Sequence, residues 1–272
     1  MYYVTLDTCV LIDLGKNFRN IEIIRSLRKL IDQEQITLII PKIIQEEWDK
    51  HKTDKIYNYH LESIRSKIRN YKDIIHLSGQ MCDAIEDNEI EQLIQRKAIS
   101  IINEIDALLE HSNTKVITIN NEVKLQSIDW AVLNKAPMHK KNSMKDTLII
   151  LSSLYYTKSH RLSPYIFISS NYKDFANEAD KKAIHSDIEE LASEIEFMYF
   201  SNIGEALNHI EAGLISDELV QQIELDSSVR KCYECGATMN EGSWRPSRYG
   251  GLTWQYTCYS CGARYDTGEF WI

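Results

Sequence analysis

The sequence has no run of about 18 consecutive apolar residues, which excludes a transmembrane helix. Its first residues, Met1-Tyr2-Tyr3-Val4-Thr5-Leu6-Asp7, lack a basic segment and an apolar h-region, so no signal peptide is expected and the cytoplasm is the expected compartment. Basic residues are the minority: 31 Lys+Arg face 40 Asp+Glu, for a net charge of −9. That balance argues against a uniform basic coat for polyanions, but not against an acidic site that works through metal ions. No Gly-rich phosphate loop is present, which disfavours NTP hydrolysis. No Ser/His/Asp or Cys/His grouping is readable, so a nucleophile triad is unsupported. Asp7-Thr8-Cys9 also lacks the second Asp, two residues on, that a phosphoaspartyl phosphatase needs. Repeats and low-complexity tracts are absent. What remains is globular: 272 residues, 43% apolar and 26% charged, enough for a sizeable core in one large domain or a domain plus a small one.

The residues are unevenly spread. The last 42 hold six of the ten glycines, nine of the 26 aromatics and four of the six cysteines. Their charge is balanced, so the whole net charge belongs to residues 1–230. Two architectures are therefore expected, an Ile/Leu-rich acidic body over 1–225 and a small module over 231–272, with Asp226-Ser227-Ser228 as the linker. In the module, Cys232-x-x-Cys235 and Cys258-x-x-Cys261 stand 22 residues apart, each followed by Gly. A two-residue gap lets one tight turn aim both sulfurs at one ion, and Gly236 and Gly262 supply the positive φ that closes each turn. Four thiolates define a structural Zn²⁺ site with no open position. Two disulfides are the alternative, disfavoured in a reducing compartment. The module resembles the zinc-ribbon family, whose members often bind nucleic acid or protein. Trp244, Tyr249, Trp254 and Tyr256, with Arg245 and Arg248, either stack on bases or serve the module's own small core.

In the body, Val4–Leu6, Ile36–Ile40, Tyr165–Ser169 and Glu196–Phe200 read as continuous apolar strands. Helical spacing recurs over 19–31, 43–51, 145–156 and 204–213. This predicts an α/β fold with a parallel sheet covered on both faces. Residues 55–110, polar with Ile and Leu at helical intervals and no Pro, read as a helical insertion broken near Ser78-Gly79. Ligands of such sheets gather beyond the carboxyl ends of the strands. Four acidic positions fall there: Asp7, the Glu46-Glu47 pair, Asp146, and Asn171 with Asp174. Hard divalent cations take oxygen ligands, and two of them ~3.5–4 Å apart clamp an in-line phosphodiester displacement. Each acid alone also reads as something plainer: Asp7 and Asp146 as helix caps, Asp174 as a turn residue, Glu46 and Glu47 as solvated. Asp13, about two helical turns from the strand end, reads as structural.

The motifs Leu6-Asp7-Thr8-Cys9-Val10-Leu11, Pro41-x-x-x-x-Glu46-Glu47-Trp48, Lys145-Asp146-Thr147-Leu148 and Ser169-Ser170-Asn171-x-x-Asp174-Phe175, in that order, resemble the PIN domain over residues 1–210. The resemblance implies a Mg²⁺- or Mn²⁺-dependent nuclease, usually a ribonuclease, with Asp7, Glu47, Asp146 and the Asn171/Asp174 pair as catalytic residues and Asp7, Glu47, Asp146 and Asp174 as metal ligands. The resemblance implies Glu47 rather than Glu46, because the family's glutamate usually precedes a large apolar residue, here Trp48. Two departures stand out: Cys9 where many members carry Asn, and Asn171 where many carry a fourth Asp. One or two catalytic metals therefore remain open. Lys140, Lys141 and Lys145, just before Asp146, are candidate contacts for the substrate backbone, Lys141 first. The expected function is endoribonuclease, with a toxin or phage-defence effector as the setting by analogy. An RNA- or protein-binding module with an impaired site and a DNA nuclease are the rivals. RNA is the expected partner, a protein partner or inhibitor and an oligomer are left open, and no membrane is involved.

Overall fold

The computed structural model describes residues 1–78, 87–228, 232, 239, 242–246 and 252–271. Strand β1 (Tyr2–Leu6) leads directly into helix α1 (Thr8–Lys16), with Asp7 at the joint. A 3₁₀ turn and α2 (Ile21–Asp32) return the chain to β2 (Ile36–Pro41), followed by α3 (Lys42–Lys52). A π-helical segment, Thr53–Asn58, joins α3 to α4 (Tyr59–Ser78). Then come α5 (Asp87–Leu109), β3 (Thr114–Ile117), α6 (Asn121–Val132), α7 (Met144–Ser159) and β4 (Tyr165–Ile168). The body closes with α8 (Tyr172–Phe175), α9 (Ser186–Ala192), β5 (Phe197–Phe200), α10 (Ile203–Ile210) and α11 (Asp217–Ser228).

The five strands form one parallel sheet in the order β3-β2-β1-β4-β5. The four strands read from the sequence are all present. β1, β2 and β4 are apolar because both sheet faces are covered: Val4, Leu6, Leu38, Ile39, Ile40 and Tyr165 to Ile168 are buried. β3 was not anticipated, because this edge strand exposes two of its four residues and makes no apolar run. The order reverses at β1: the chain moves outward through β2 and β3, then crosses to β4 on the other side. Such a switch point opens a crevice at the carboxyl ends of the two central strands. Leu6 pairs with Ile168 there, and the Asp7 amide donates to the Ile168 carbonyl at 2.9 Å.

The chain divides into two compact units, residues 1–56 with 97–223, and residues 57–96 with 224–272. In the first, α1, α3 and α7 pack together on the sheet's core. Gly15 lets Ile56 approach α1: a Cβ at that position would overlap the Ile56 side chain. Trp48 Nε1 donates to Asp106 Oδ1 at 2.6 Å and Lys52 Nζ reaches the same carboxylate at 3.1 Å, tying α3 to the C-terminal half of α5. In the second unit, Arg65 on α4 pairs with Glu91 on α5. The expected break near Ser78-Gly79 falls at the edge of the described residues, and Gly79 lies outside them.

The segment expected as a linker, Asp226-Ser227-Ser228, is instead helical and belongs to α11. The small C-terminal module is a three-stranded antiparallel sheet, β6 (Ser243–Pro246), β7 (Leu252–Thr257) and β8 (Arg264–Trp271). Among the described residues, no helix is long and apolar enough to cross a membrane.

Candidate metal-binding active site

Four carboxylates from four separate segments are placed at the switch point. Asp7 sits at the end of β1, Glu47 in the second turn of α3, Asp146 in the first turn of α7, and Asp174 in the short helix after β4. Asp7 and Asp174 are almost wholly buried, and the Glu47 side chain is 16% exposed. Glu46, one residue away, is 63% exposed and faces Lys42 at 3.8 Å, so the helix aims only Glu47 at the cluster.

Hydroxyls and a thiol fix the acids in place. Asp7 makes no side-chain capping bond to α1. Its Oδ2 accepts instead from Ser169 Oγ at 2.7 Å and from Cys9 Sγ at 3.0 Å. Thr8 Oγ1 donates to Glu47 Oε2 at 2.9 Å. Asp174 Oδ2 accepts from Ser143 Oγ at 3.3 Å and from Asn171 Nδ2 at 2.7 Å. Asn171 Nδ2 also reaches Asp146 Oδ2 at 3.4 Å, so Asn171 bridges two of the acids. Lys145 Nζ lies 2.7 Å from Glu47 Oε1 and Lys141 Nζ 3.1 Å from Asp174 Oδ2. Lys140 lies apart from the carboxylate cluster, bonded to the Lys173 carbonyl at 3.3 Å and to Glu178 at 3.2 Å. Asp13 also lies outside the cluster, accepting from Ser170 Oγ at 2.6 Å.

Crowding these charges has an electrostatic consequence. Burial raises the Asp7 carboxyl above its usual range, against the hydrogen bonds from Cys9 and Ser169. The Asp146 carboxyl is pushed up to about 7, first by burial and then by the negative charges of Asp7 and Asp174, with Lys141 opposing. Burial and the neighbouring acids also push the Cys9 thiol up, keeping it a neutral donor to Asp7. The donor set is all oxygen, and its four carboxylates outnumber the two lysines that reach them. Those are the properties of a site for a hard divalent cation, and Mg²⁺ or Mn²⁺ fits them.

A family model described as PIN domain matches residues 4–175, and the chain belongs to that family. PIN domains have a nuclease-type fold, and members are usually metal-dependent ribonucleases. No curated protein and no solved structure matches the chain.

Sequence reasoning did not find the supporting Thr8, Ser143 and Ser169. A hydroxyl beside each acid motif was the available signal, but hydroxyls are too common in a sequence to single out. It also left out His139, whose two ring nitrogens are buried without a hydrogen-bond partner and whose ring lies 4.9 Å from that of His185.

In the C-terminal module, the sulfurs of Cys232, Cys258 and Cys261 lie within 4.8 Å of one another. Sulfurs of one tetrahedral zinc stand ~3.8 Å apart, so the three fit such an ion. Cys235 lies outside the described residues. The turn after Cys258 is closed by Gly262 N donating to Cys258 O at 2.7 Å, and Gly262 has φ +76°. Tyr256 packs against the cysteine cluster, whereas Trp244 on β6 is 40% exposed. Arg248 and Tyr249 lie outside the described residues.

The Asp146 carboxyl titrates near 7 in the folded chain against 3.8 in a model peptide. The folded state therefore holds the extra proton between those values, and stability falls as pH rises through that window. In metal-free buffer, Asp146→Asn should be more stable than wild type at pH 8, by on the order of 1–4 kcal/mol, with the gap closing toward pH 4. Urea unfolding across pH checks this; equal or lower stability of the variant at pH 8 contradicts it.

Proposed function

We propose that this chain is a divalent-metal-dependent endoribonuclease. The observation that carries the reading is the convergence of Asp7, Glu47, Asp146 and Asp174 at the β1/β4 switch point of a PIN domain. Bound there, Mg²⁺ or Mn²⁺ supplies Lewis-acid activation of water and of the phosphodiester. The chain's own groups do the positioning. Asp7, Asp146, Glu47 and Asp174 would hold the metal, and Ser169, Thr8, Ser143 and Cys9 keep the carboxylates from rotating. Asn171 offers an amide oxygen where a fourth carboxylate is common in the family. Lys141 and Lys145 stand at the rim for the substrate backbone, with Lys140 further out.

The C-terminal module is proposed as a zinc ribbon closed by Cys232, Cys235, Cys258 and Cys261. It would select the nucleic acid, or a partner protein, through Trp244 and Arg245, both exposed on β6. Toxin or phage-defence effector is the proposed setting, by analogy with the family.

A second reading, a non-catalytic RNA- or protein-binding module, draws on Asn171. Its amide satisfies Asp174 and Asp146 without adding charge.

Cleavage of matched RNA and DNA oligonucleotides separates these readings. RNA should be cut in Mg²⁺ or Mn²⁺, not in EDTA, and Asp146→Asn should lower the rate by ~10²–10³-fold, the loss of several kcal/mol of transition-state stabilisation. Preferred cleavage of DNA favours the DNA nuclease, and binding without cleavage in either metal favours the binding module.

Elemental analysis of the purified protein should find about one zinc per chain, with loss of the ion on Cys258→Ser. A zinc-free protein contradicts the ribbon.

A further inference from the structure

Lys145 and Lys141 are usually the kind of residue assigned to substrate, yet both are already engaged. Each ammonium lies within 3.1 Å of a site carboxylate, Lys145 on Glu47 and Lys141 on Asp174. The partners in each pair differ in freedom. The two carboxylate side chains are 16% and 3% exposed and are anchored by Thr8 and by Ser143 and Asn171. Both lysine side chains are 54% exposed, on flexible four-carbon stems that reach the site from solvent. The acids are built in; the cations are not.

Charge counting gives this arrangement a meaning. Asp7, Glu47, Asp146 and Asp174 carry four negative charges when ionised, and the two lysines return two. The remainder matches one divalent cation. Two divalent cations are matched only when both lysines leave. Phosphates of a bound polynucleotide are the natural destination, because ammonium groups pair with them and release their counterions.

We propose that Lys141 and Lys145 are exchangeable counter-ions. In the substrate-free protein they hold the place of a second divalent cation. A single-stranded polynucleotide draws them to its phosphates and opens the site to that cation. The site would then reach full metal loading only with substrate present. This rests on the metal-nuclease reading above and adds to it the coupling between metal and substrate.

The test is Mn²⁺ binding by the full-length protein, followed through the electron paramagnetic resonance of free Mn²⁺. Wild type should bind one Mn²⁺ per chain and a second far more weakly. A nuclease-resistant 2′-O-methyl phosphorothioate oligonucleotide should tighten the second. In Lys141→Met/Lys145→Met the second Mn²⁺ should bind at least about tenfold tighter without oligonucleotide, since a like charge beside each ligand is gone. The oligonucleotide should then add little. Both substitutions keep the apolar stem and remove only an exposed head. Lys182→Met, which removes a lysine paired to Glu205 instead, should behave as wild type. A double variant that binds Mn²⁺ no tighter than a wild type that does bind it overturns the proposal. Absence of Mn²⁺ binding in both overturns the metal-site reading itself.

Discussion

Mutual repulsion among buried carboxylates is the constraint around which this molecule is organised. Like charges at close range in a protein interior are unstable unless something positive or something hydrogen-bonding answers each of them. Here every acid of the cluster has an answer. Asp7 takes Ser169 and Cys9, Glu47 takes Thr8 and Lys145, Asp174 takes Asn171, Ser143 and Lys141. Asp146 has the least, a long contact to Asn171, and its carboxyl is the one pushed up to about 7. Carboxylates crowded together at the carboxyl end of a sheet, with a raised carboxyl among them, form a pattern that clusters at functional sites.

The sheet supplies the rigidity that such a cluster needs. β1 and β4 are buried on both faces, and their last residues pair directly, so Asp7 and Ser169 are delivered side by side by the sheet itself. Glu47 arrives on α3, which packs against α1 and α7, and Asp146 on α7, which packs against α3 and β2. Only the lysines come from flexible stems at the surface. The site therefore combines a largely buried negative frame with exposed lysines on flexible stems.

Much of this was legible in the sequence because apolar strands and the acids that end them are local signals. Asp7 after Val4-Thr5-Leu6, and Asn171 and Asp174 after Tyr165–Ser169, mark strand ends without any structure. The choice of Glu47 over Glu46 followed from Trp48, and the fully buried Trp48 fixes which face of α3 turns inward. What could not be read were features set by tertiary context. β3 lacks an apolar run because it is an edge strand. α6 has apolar residues on both faces, with Trp130 buried and Leu125, Ile128 and Val132 exposed, so it shows no helical stripe. Asp226-Ser227-Ser228 reads as a linker because the run is polar, yet it is helical in α11. Lys140, Lys141 and Lys145 read as substrate contacts; that Lys141 and Lys145 pair with the site's own acids is a matter of side-chain reach that no spacing encodes.

The central claim is that Asp7, Asp146 and their neighbours form a divalent-cation site. A crystal of the full chain soaked in Mn²⁺ and measured at the manganese absorption edge tests it most directly. The account predicts an anomalous peak at the carboxyl ends of β1 and β4, within ~2.1–2.3 Å of carboxylate oxygens of Asp7 and Asp146. Manganese bound elsewhere, or none at these carboxylates at saturating concentration, would contradict it.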